Sequence, residues 1–146
     1  MKKILIVDTD PAVLTSLSDF LSYRDTAVIV STAMEEAEVA LSRYTFDLVI
    51  ADIRLSGMEG RAGLEFINYT KRLAPETELI IMHARGPEDL RDAAIRMGAL
   101  DYYEKPVNID KMKAMIESFL FATLSFDVHE TVYNFREGGI TPWIMK

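Results

Sequence analysis

The chain is organised around the stretch Asp47-Leu48-Val49-Ile50-Ala51-Asp52, which is apolar in its centre and ends abruptly on a carboxylate. A short run rich in Leu, Val and Ile predicts a β-strand that is covered on both faces, as in a parallel sheet. Gly57, Gly60 and the polar residues beside them mark the loop that follows. Because open parallel sheets bind ligands at the carboxyl ends of their strands, Asp52 is a candidate reactive group.

Further short apolar runs predict four more strands, and helical patterns separate them. Asp10-Pro11 has the order of an N-cap residue and a first-turn proline, Thr32 and Glu35 have the spacing of a capping box, and Pro75 ends a third helix. The predicted strands cover residues 3–7, 27–30, 46–51, 78–82 and 100–104. Five strands that alternate with five helices predict a doubly wound α/β fold, with a five-stranded parallel sheet flanked by five helices.

Composition narrows the function classes. The chain has 146 residues, 49% of them hydrophobic, which suits a single globular domain. A net charge of -7 argues against direct nucleic-acid binding, and no apolar run approaches the ~18 residues of a membrane span. The absence of cysteine excludes disulfides and thiolate metal sites. We therefore expect a soluble cytoplasmic protein that contacts neither nucleic acid nor membrane.

Residues 125–146 do not continue the alternation of strands and helices. Tyr133, Phe135 and Trp143 surround Gly138-Gly139, which makes this segment too aromatic for ordinary disorder. We expect a domain over residues 1–124, followed by a C-terminal extension of unknown role.

Three of the predicted strands end on charged residues: Asp8, Asp52 and Lys105. In the predicted fold they meet at one edge of the sheet. Two carboxylates attract a hard divalent cation such as Mg²⁺, and a carboxylate can also accept a phosphoryl group as a nucleophile. A lysine supplies positive charge for the oxygens of that group.

Four segments resemble the receiver domain of bacterial two-component response regulators, which has a CheY-like, flavodoxin-like fold. They are ILIVDTDP, FDLVIADIRLSGMEG, LIIMHARG and GALDYYEKP, in the family's order, and the resemblance covers roughly residues 2–122. It identifies residues 1–124 as a receiver domain. The family accepts a phosphoryl group from a phosphohistidine, with Mg²⁺, and then reshapes the face formed by helix 4, strand 5 and helix 5.

The resemblance also implies site residues. Asp52 matches the phosphoacceptor, Lys105 the phosphate-binding lysine, and Asp8 the first residue of the acidic pair at the metal site, where Asp52 and the carbonyl of Arg54 are further ligands. At the switch, Ala84 matches the small residue beside the acceptor, and Tyr102 matches the aromatic residue that changes rotamer on activation.

The chain departs from the family pattern in three places. Thr9 stands where a second acidic residue usually binds the metal, so we expect weak Mg²⁺ binding, with compensation by Asp10 only if Asp10 does not cap the first helix. His83 stands at the position of the switch Ser or Thr. It is either a hydrogen-bond donor to the phosphoryl group, a pH-sensitive gate or a structural histidine. Residues 61–63 lengthen the loop before the third helix.

These observations predict a response regulator receiver that is loaded by a sensor histidine kinase or a phosphotransfer protein and signals to a downstream protein partner. A homodimer through the helix 4, strand 5, helix 5 face is a further prediction. Enzymatic activity is limited to self-phosphorylation and autodephosphorylation. One alternative is a degenerate receiver that binds a partner without phosphorylation. The other, a Mg²⁺-dependent aspartyl phosphohydrolase, is disfavoured because Arg54 occupies the place of a second acid.

Overall fold

The computed structural model describes residues 1–22, 25–53, 61–83 and 88–132, and within them strands and helices alternate as predicted. The elements are β1 (Lys2–Val7), α1 (Pro11–Ser22), β2 (Thr26–Ser31), α2 (Met34–Arg43), β3 (Leu48–Asp52), α3 (Arg61–Leu73), β4 (Glu78–His83), α4 (Glu88–Arg96), β5 (Asp101–Glu104) and α5 (Ile109–Val132).

The five strands form one parallel sheet in the order β2-β1-β3-β4-β5. Strands β1 and β3 lie in its centre, with Val7 beside Ala51, and β4 follows, with Met82 beside Asp52. The chain winds outward from β1 in both directions, which leaves the carboxyl ends of β1, β3 and β4 side by side. The doubly wound α/β fold is therefore confirmed, and its strand order places the predicted site at the switch point of the sheet.

All residues of β3 are buried, as the apolar run predicted. Alternate residues of the strands supply one core cluster, and its other side chains come from α2, α3 and α4 and from Phe46, Ile53 and Ala99 between the elements. Its members include Leu5, Val7, Val49, Ala51, Leu79 and Ile81 from the sheet, and Ala37, Leu41, Phe66, Ile67, Leu90 and Ala94 from the helices. Apart from the half-buried Lys2 and Glu78, the residues of β1, β3 and β4 that face the other side of the sheet are buried too. Burial on both faces explains why these strands read as continuous apolar runs.

Two helix starts differ from the sequence predictions. The capping box of Thr32 and Glu35 is wrong: Ala33 is the N-cap residue of α2 and has no side-chain cap, while Glu36 Oε1 accepts a hydrogen bond from Thr32 N–H at 3.1 Å. The predicted longer loop before the third helix is also wrong, because Arg61 begins α3 and residues 61–63 form its first turn. Acidic residues at neighbouring positions of a helix start compete for the same backbone donor, and only geometry decides between them.

The chain divides into two compact units, residues 1–109 and residues 110–146. Helix α5 runs from Ile109 to Val132 without a break, so the predicted boundary after residue 124 falls inside a helix. Among residues 109–120, whose burial is described, Met112, Ile116 and Leu120 are buried. The aromatic residues of the tail, from Tyr133 onward, lie outside the described residues. Among the residues that are described, no helix is long and apolar enough to cross a membrane.

Candidate functional site

The ammonium group of Lys105 joins two carboxylates at the carboxyl edge of the sheet. Lys105 Nζ lies 2.9 Å from Asp52 Oδ2, 2.9 Å from Asp8 Oδ2 and 3.1 Å from Asp8 Oδ1. The side chains of Asp8, Asp52 and Lys105 are only 1%, 6% and 14% exposed. The structure thus brings together the three charged residues that the sequence placed at this edge, and their ion pairs are shielded from solvent.

Asp8 is oriented by its own chain. It follows the last residue of β1, and its Oδ1 accepts hydrogen bonds from the backbone N–H groups of Thr9 at 2.7 Å and Asp10 at 2.9 Å. With Lys105, this one oxygen has three donors. A carboxylate oxygen with three donors keeps its direction, so Asp8 provides a fixed anchor for the lysine.

Asp52 ends β3, and the residue after it is fixed from two sides. Ile53 N–H donates to Met82 O at 3.1 Å, which extends the contact between β3 and β4 past the carboxylate. From the other side, Gly63 of α3 lies directly against the Ile53 side chain. The backbone at Asp52 is therefore held by the sheet and by the first turn of α3.

Lys105 follows the last residue of β5, and its backbone N–H donates to His83 O at 2.8 Å. The Lys105-Pro106 peptide bond is cis. Burial by itself lowers the pKa of Lys105, but hydrogen bonds to Asp8 and Asp52 and the charges of both carboxylates raise the pKa by more, so the net shift is upward. The ammonium form is therefore the one present at neutral pH.

The two switch candidates in the described part of the chain are both buried. His83 is the last residue of β4, next to Glu104 of β5 in the sheet register, and it is 1% exposed. Tyr102 of β5 belongs to the core cluster. Ala84, the small residue expected beside the acceptor, lies outside the described residues. The roles of all three remain predictions.

Four of the five predicted metal ligands lie in the described part of the chain. Thr9 has an exposed side chain, and Asp10 uses Oδ1 to accept the Ala12 N–H at 3.0 Å as the N-cap of α1. Asp8 and Asp52 remain, and Arg54 lies outside the described residues. Within the described ranges there is no group of three or more His, Cys, Asp or Glu that could hold a metal ion. Two carboxylates with water still fit Mg²⁺, because Mg²⁺ is commonly held by one or two carboxylates.

Sequence reasoning missed Arg91 of α4. Its Nη1 donates to the backbone carbonyl of Tyr102 at 3.0 Å, and its guanidinium carbon lies 5.8 Å from the centre of the Tyr102 ring. An exposed arginine on an amphipathic helix gives no sequence signal for such a contact, because only the fold shows which strand residue lies beneath it.

Comparison with known proteins adds the family. Residues 4–117 match the family model of the response regulator receiver domain. The transcriptional regulatory protein ZraR of Escherichia coli K12 is 34% identical over 137 residues, and the match covers 94% of this chain and 30% of ZraR. FixJ of Bradyrhizobium diazoefficiens, also a transcriptional regulatory protein, is 32% identical over 79% of this chain and 55% of its own length. The chain thus spans less than two thirds of these relatives.

Solved structures show the same architecture. A CheY-like receiver domain protein from Methanospirillum hungatei JF-1 has a TM-score of 0.70 and 28% identity, over 81% of this chain and 92% of its own. The BeF3-activated receiver domain of DrrB has a TM-score of 0.70 and 27% identity, over 82% of this chain and 97% of its own.

Proposed function

The chain belongs to the response regulator receiver domain family, and we propose that it accepts a phosphoryl group on Asp52 from a sensor histidine kinase or a phosphotransfer protein. Phosphorylation on aspartate is the general function of this family in two-component signalling. The observation that carries the assignment to Asp52 is the buried contact of its carboxylate with Lys105, which also binds Asp8. The relatives are regulators of transcription, which supports a downstream protein partner for this chain.

The residues of the site divide the chemistry between them. A carboxylate oxygen of Asp52 attacks the phosphorus of the donor phosphohistidine; the new P–O bond forms as the P–N bond breaks, and the imidazole leaves with the electron pair. Lys105 then donates hydrogen bonds to the phosphoryl oxygens, while Asp8 keeps the ammonium group in place. Slow attack of water on phosphorus then breaks the P–O bond to Asp52, which releases inorganic phosphate and restores the carboxylate.

Receiver domains generally bind Mg²⁺, and Asp8 and Asp52 are the described residues that would hold it here. When bound, the ion supplies positive charge to the phosphoryl oxygens. A homodimer through α4, β5 and α5, and a location in the cytoplasm, stay predictions.

The assignment is tested by intact-mass measurement after incubation with Mg²⁺ and acetyl phosphate. We expect one phosphoryl adduct on the wild type and none on Asp52→Asn, because an amide is not a nucleophile for this transfer. Asp19→Asn removes a carboxylate from the exposed face of α1 and is expected to leave the adduct unchanged. An adduct that persists in Asp52→Asn would show that the acceptor lies elsewhere.

A degenerate receiver that works without phosphorylation is the second candidate, because Thr9 lacks the charge of a metal ligand and His83 lacks a switch hydroxyl. It is favoured if the wild type gains no adduct under conditions that load an ordinary receiver. The aspartyl phosphohydrolase remains the least supported prediction, and rapid turnover of a small phosphate ester would favour it.

Thr9→Asp is expected to tighten Mg²⁺ binding about tenfold, because a third carboxylate beside Asp8 and Asp52 adds charge attraction for a divalent cation. Isothermal titration calorimetry with Mg²⁺ measures the change. Thr15→Asp adds the same charge to the exposed face of α1 and serves as the matched control. Equal affinities of Thr9→Asp and Thr15→Asp would contradict the assignment of Thr9 to the metal site.

A further inference from the structure

Arg91 makes two different contacts with the same residue. From α4, its Nη1 donates to the carbonyl of Tyr102 at 3.0 Å, and its guanidinium lies over the Tyr102 ring, 5.8 Å from the ring centre. The planar guanidinium can donate in its plane and stack through its face at the same time, which an ammonium group cannot do. The two contacts therefore fix both the backbone and the ring of Tyr102 relative to α4.

Tyr102 is held from other directions as well. Its backbone N–H donates to Asp101 Oδ1 at 2.8 Å, so side chains of opposite charge bind its N–H and its carbonyl. Its ring is in the core cluster with Leu90 and Ala94 of α4, and the residue is 8% exposed. Burial and the charge of Glu104 raise the pKa of Tyr102, and Arg91 opposes this shift, so the field of the guanidinium reaches the phenol.

We propose that Arg91 is a positioning residue that holds the Tyr102 ring in its buried rotamer, so that α4 and the ring change position together. The Arg91 guanidinium of α4 lies over the ring, and an outward rotamer must break this cation–π contact. The hydrogen bond to the Tyr102 carbonyl keeps α4 against β5 while the ring is inside.

The ring's position is tested by nitration with tetranitromethane under native conditions, with tandem mass spectrometry to separate Tyr102 from Tyr103. Arg91→Met keeps much of the apolar stem but removes the cation over the ring and the hydrogen-bond donor. We expect Tyr102 to be nitrated about threefold to tenfold faster in this variant, because an exposed cation–π contact and one hydrogen bond each contribute modestly. Arg91→Lys is expected to fall between Arg91→Met and the wild type, since it keeps the charge and one donor.

Two controls separate positioning from general loosening. Arg96→Met removes an exposed arginine from the same helix and is expected to leave nitration of Tyr102 at the wild-type rate. Tyr69 of α3, which packs against the same core cluster, is expected to react at the same rate in every variant. Equal rates for Tyr102 in Arg91→Met and Arg96→Met would overturn the proposal, and so would a parallel rise at Tyr69.

A second arm rests on the proposed function, in which Asp52 is loaded and Tyr102 responds. Beryllofluoride with Mg²⁺ is the probe, since it activates the related DrrB receiver domain. Coupling between two sites is reciprocal, so a residue that stabilises the buried ring also strengthens binding of a ligand that favours the buried ring. We therefore expect Arg91→Met to weaken beryllofluoride binding about threefold and Arg96→Met to leave it unchanged. A wild type that fails to bind beryllofluoride contradicts the proposed function, and the nitration comparison then decides the role of Arg91 by itself.

Discussion

Replacement of Lys105 with methionine is expected to lower the free energy of unfolding by about 3 kcal/mol, because removal of one partner from a buried ion pair leaves the others uncompensated. Lys105 Nζ lies 2.9 Å from an oxygen of both Asp8 and Asp52, whose side chains are 1% and 6% exposed. Methionine preserves the length and most of the volume of the side chain, so the loss reports the charge and the hydrogen bonds. Urea unfolding at neutral pH measures it.

Lys2→Met is the matched control, since Lys2 begins β1 at the opposite end of the strand from Asp8. It is expected to change the free energy of unfolding by less than about 0.5 kcal/mol. If Lys105→Met costs no more than Lys2→Met, the ammonium is not the counter-charge of this site. Lys105→Met is also expected to slow formation of the acetyl phosphate adduct, because the phosphoryl oxygens lose their donor.

The pH dependence of the stability difference between wild type and Lys105→Met has a definite sign. The pKa of Lys105 is raised in the folded protein above its ordinary value of 10.5. A group with a raised folded pKa contributes fully below its unfolded pKa and loses its contribution as the pH rises through the folded pKa. The difference should therefore be constant from neutral pH to about 10.5 and decline above it. A decline that begins well below that value would contradict this assignment.

Gly63→Ala is expected to lower the free energy of unfolding by about 2 kcal/mol. A Cβ at this position would collide with Ile53 Cβ and lie 2.7 Å from Ile53 Cδ1. Alanine gains about 1 kcal/mol of helix propensity over glycine, but a shift of α3 away from the residue that follows Asp52 costs more. Thermal or urea unfolding measures the balance.

Ile53→Val gives an internal check, because it removes Cδ1, one of the atoms that an added methyl group at Gly63 would meet. Alone, Ile53→Val should lower the free energy of unfolding by about 1 kcal/mol, and in the Gly63→Ala background it should lower it by less. Glu65→Ala changes an exposed residue of the same helix and is expected to be nearly neutral. Additive effects of Gly63→Ala and Ile53→Val would show that the two residues do not share this contact.

Most of the fold was predictable from sequence because β1, β3 and β4 are buried on both faces and therefore consist of nearly unbroken apolar runs. Helix starts were less predictable. At α2, Glu35 and Glu36 are equally plausible partners for the chain before the helix, and the structure selects Glu36. At α3, glycine usually signals a loop, yet Gly63 lies in the helix. The close contact with Ile53 leaves no room for a side chain, which explains why the residue there is glycine.

The charged centre of the site was predictable because Asp8, Asp52 and Lys105 each terminate or follow a strand of one parallel sheet. The partners that these side chains bind were not predictable. The lysine was expected to meet phosphate, but in the structure it already binds both carboxylates. Nor did the sequence show that the carbonyl of Tyr102 accepts from Arg91 and that its N–H donates to Asp101. The first contact joins α4 to β5, and the second depends on the local direction of the backbone.

The occupied backbone groups of Tyr102 also bear on self-association. Strand β5 is an outer strand of the sheet, and an outer strand with free N–H and carbonyl groups is a template on which another chain can add a strand. At Tyr102, a foreign strand would first have to displace both the Arg91 guanidinium and the Asp101 carboxylate. We therefore expect this end of the sheet to resist edge-to-edge aggregation, so that association through this side of the molecule would use helix surfaces and not an extension of the sheet.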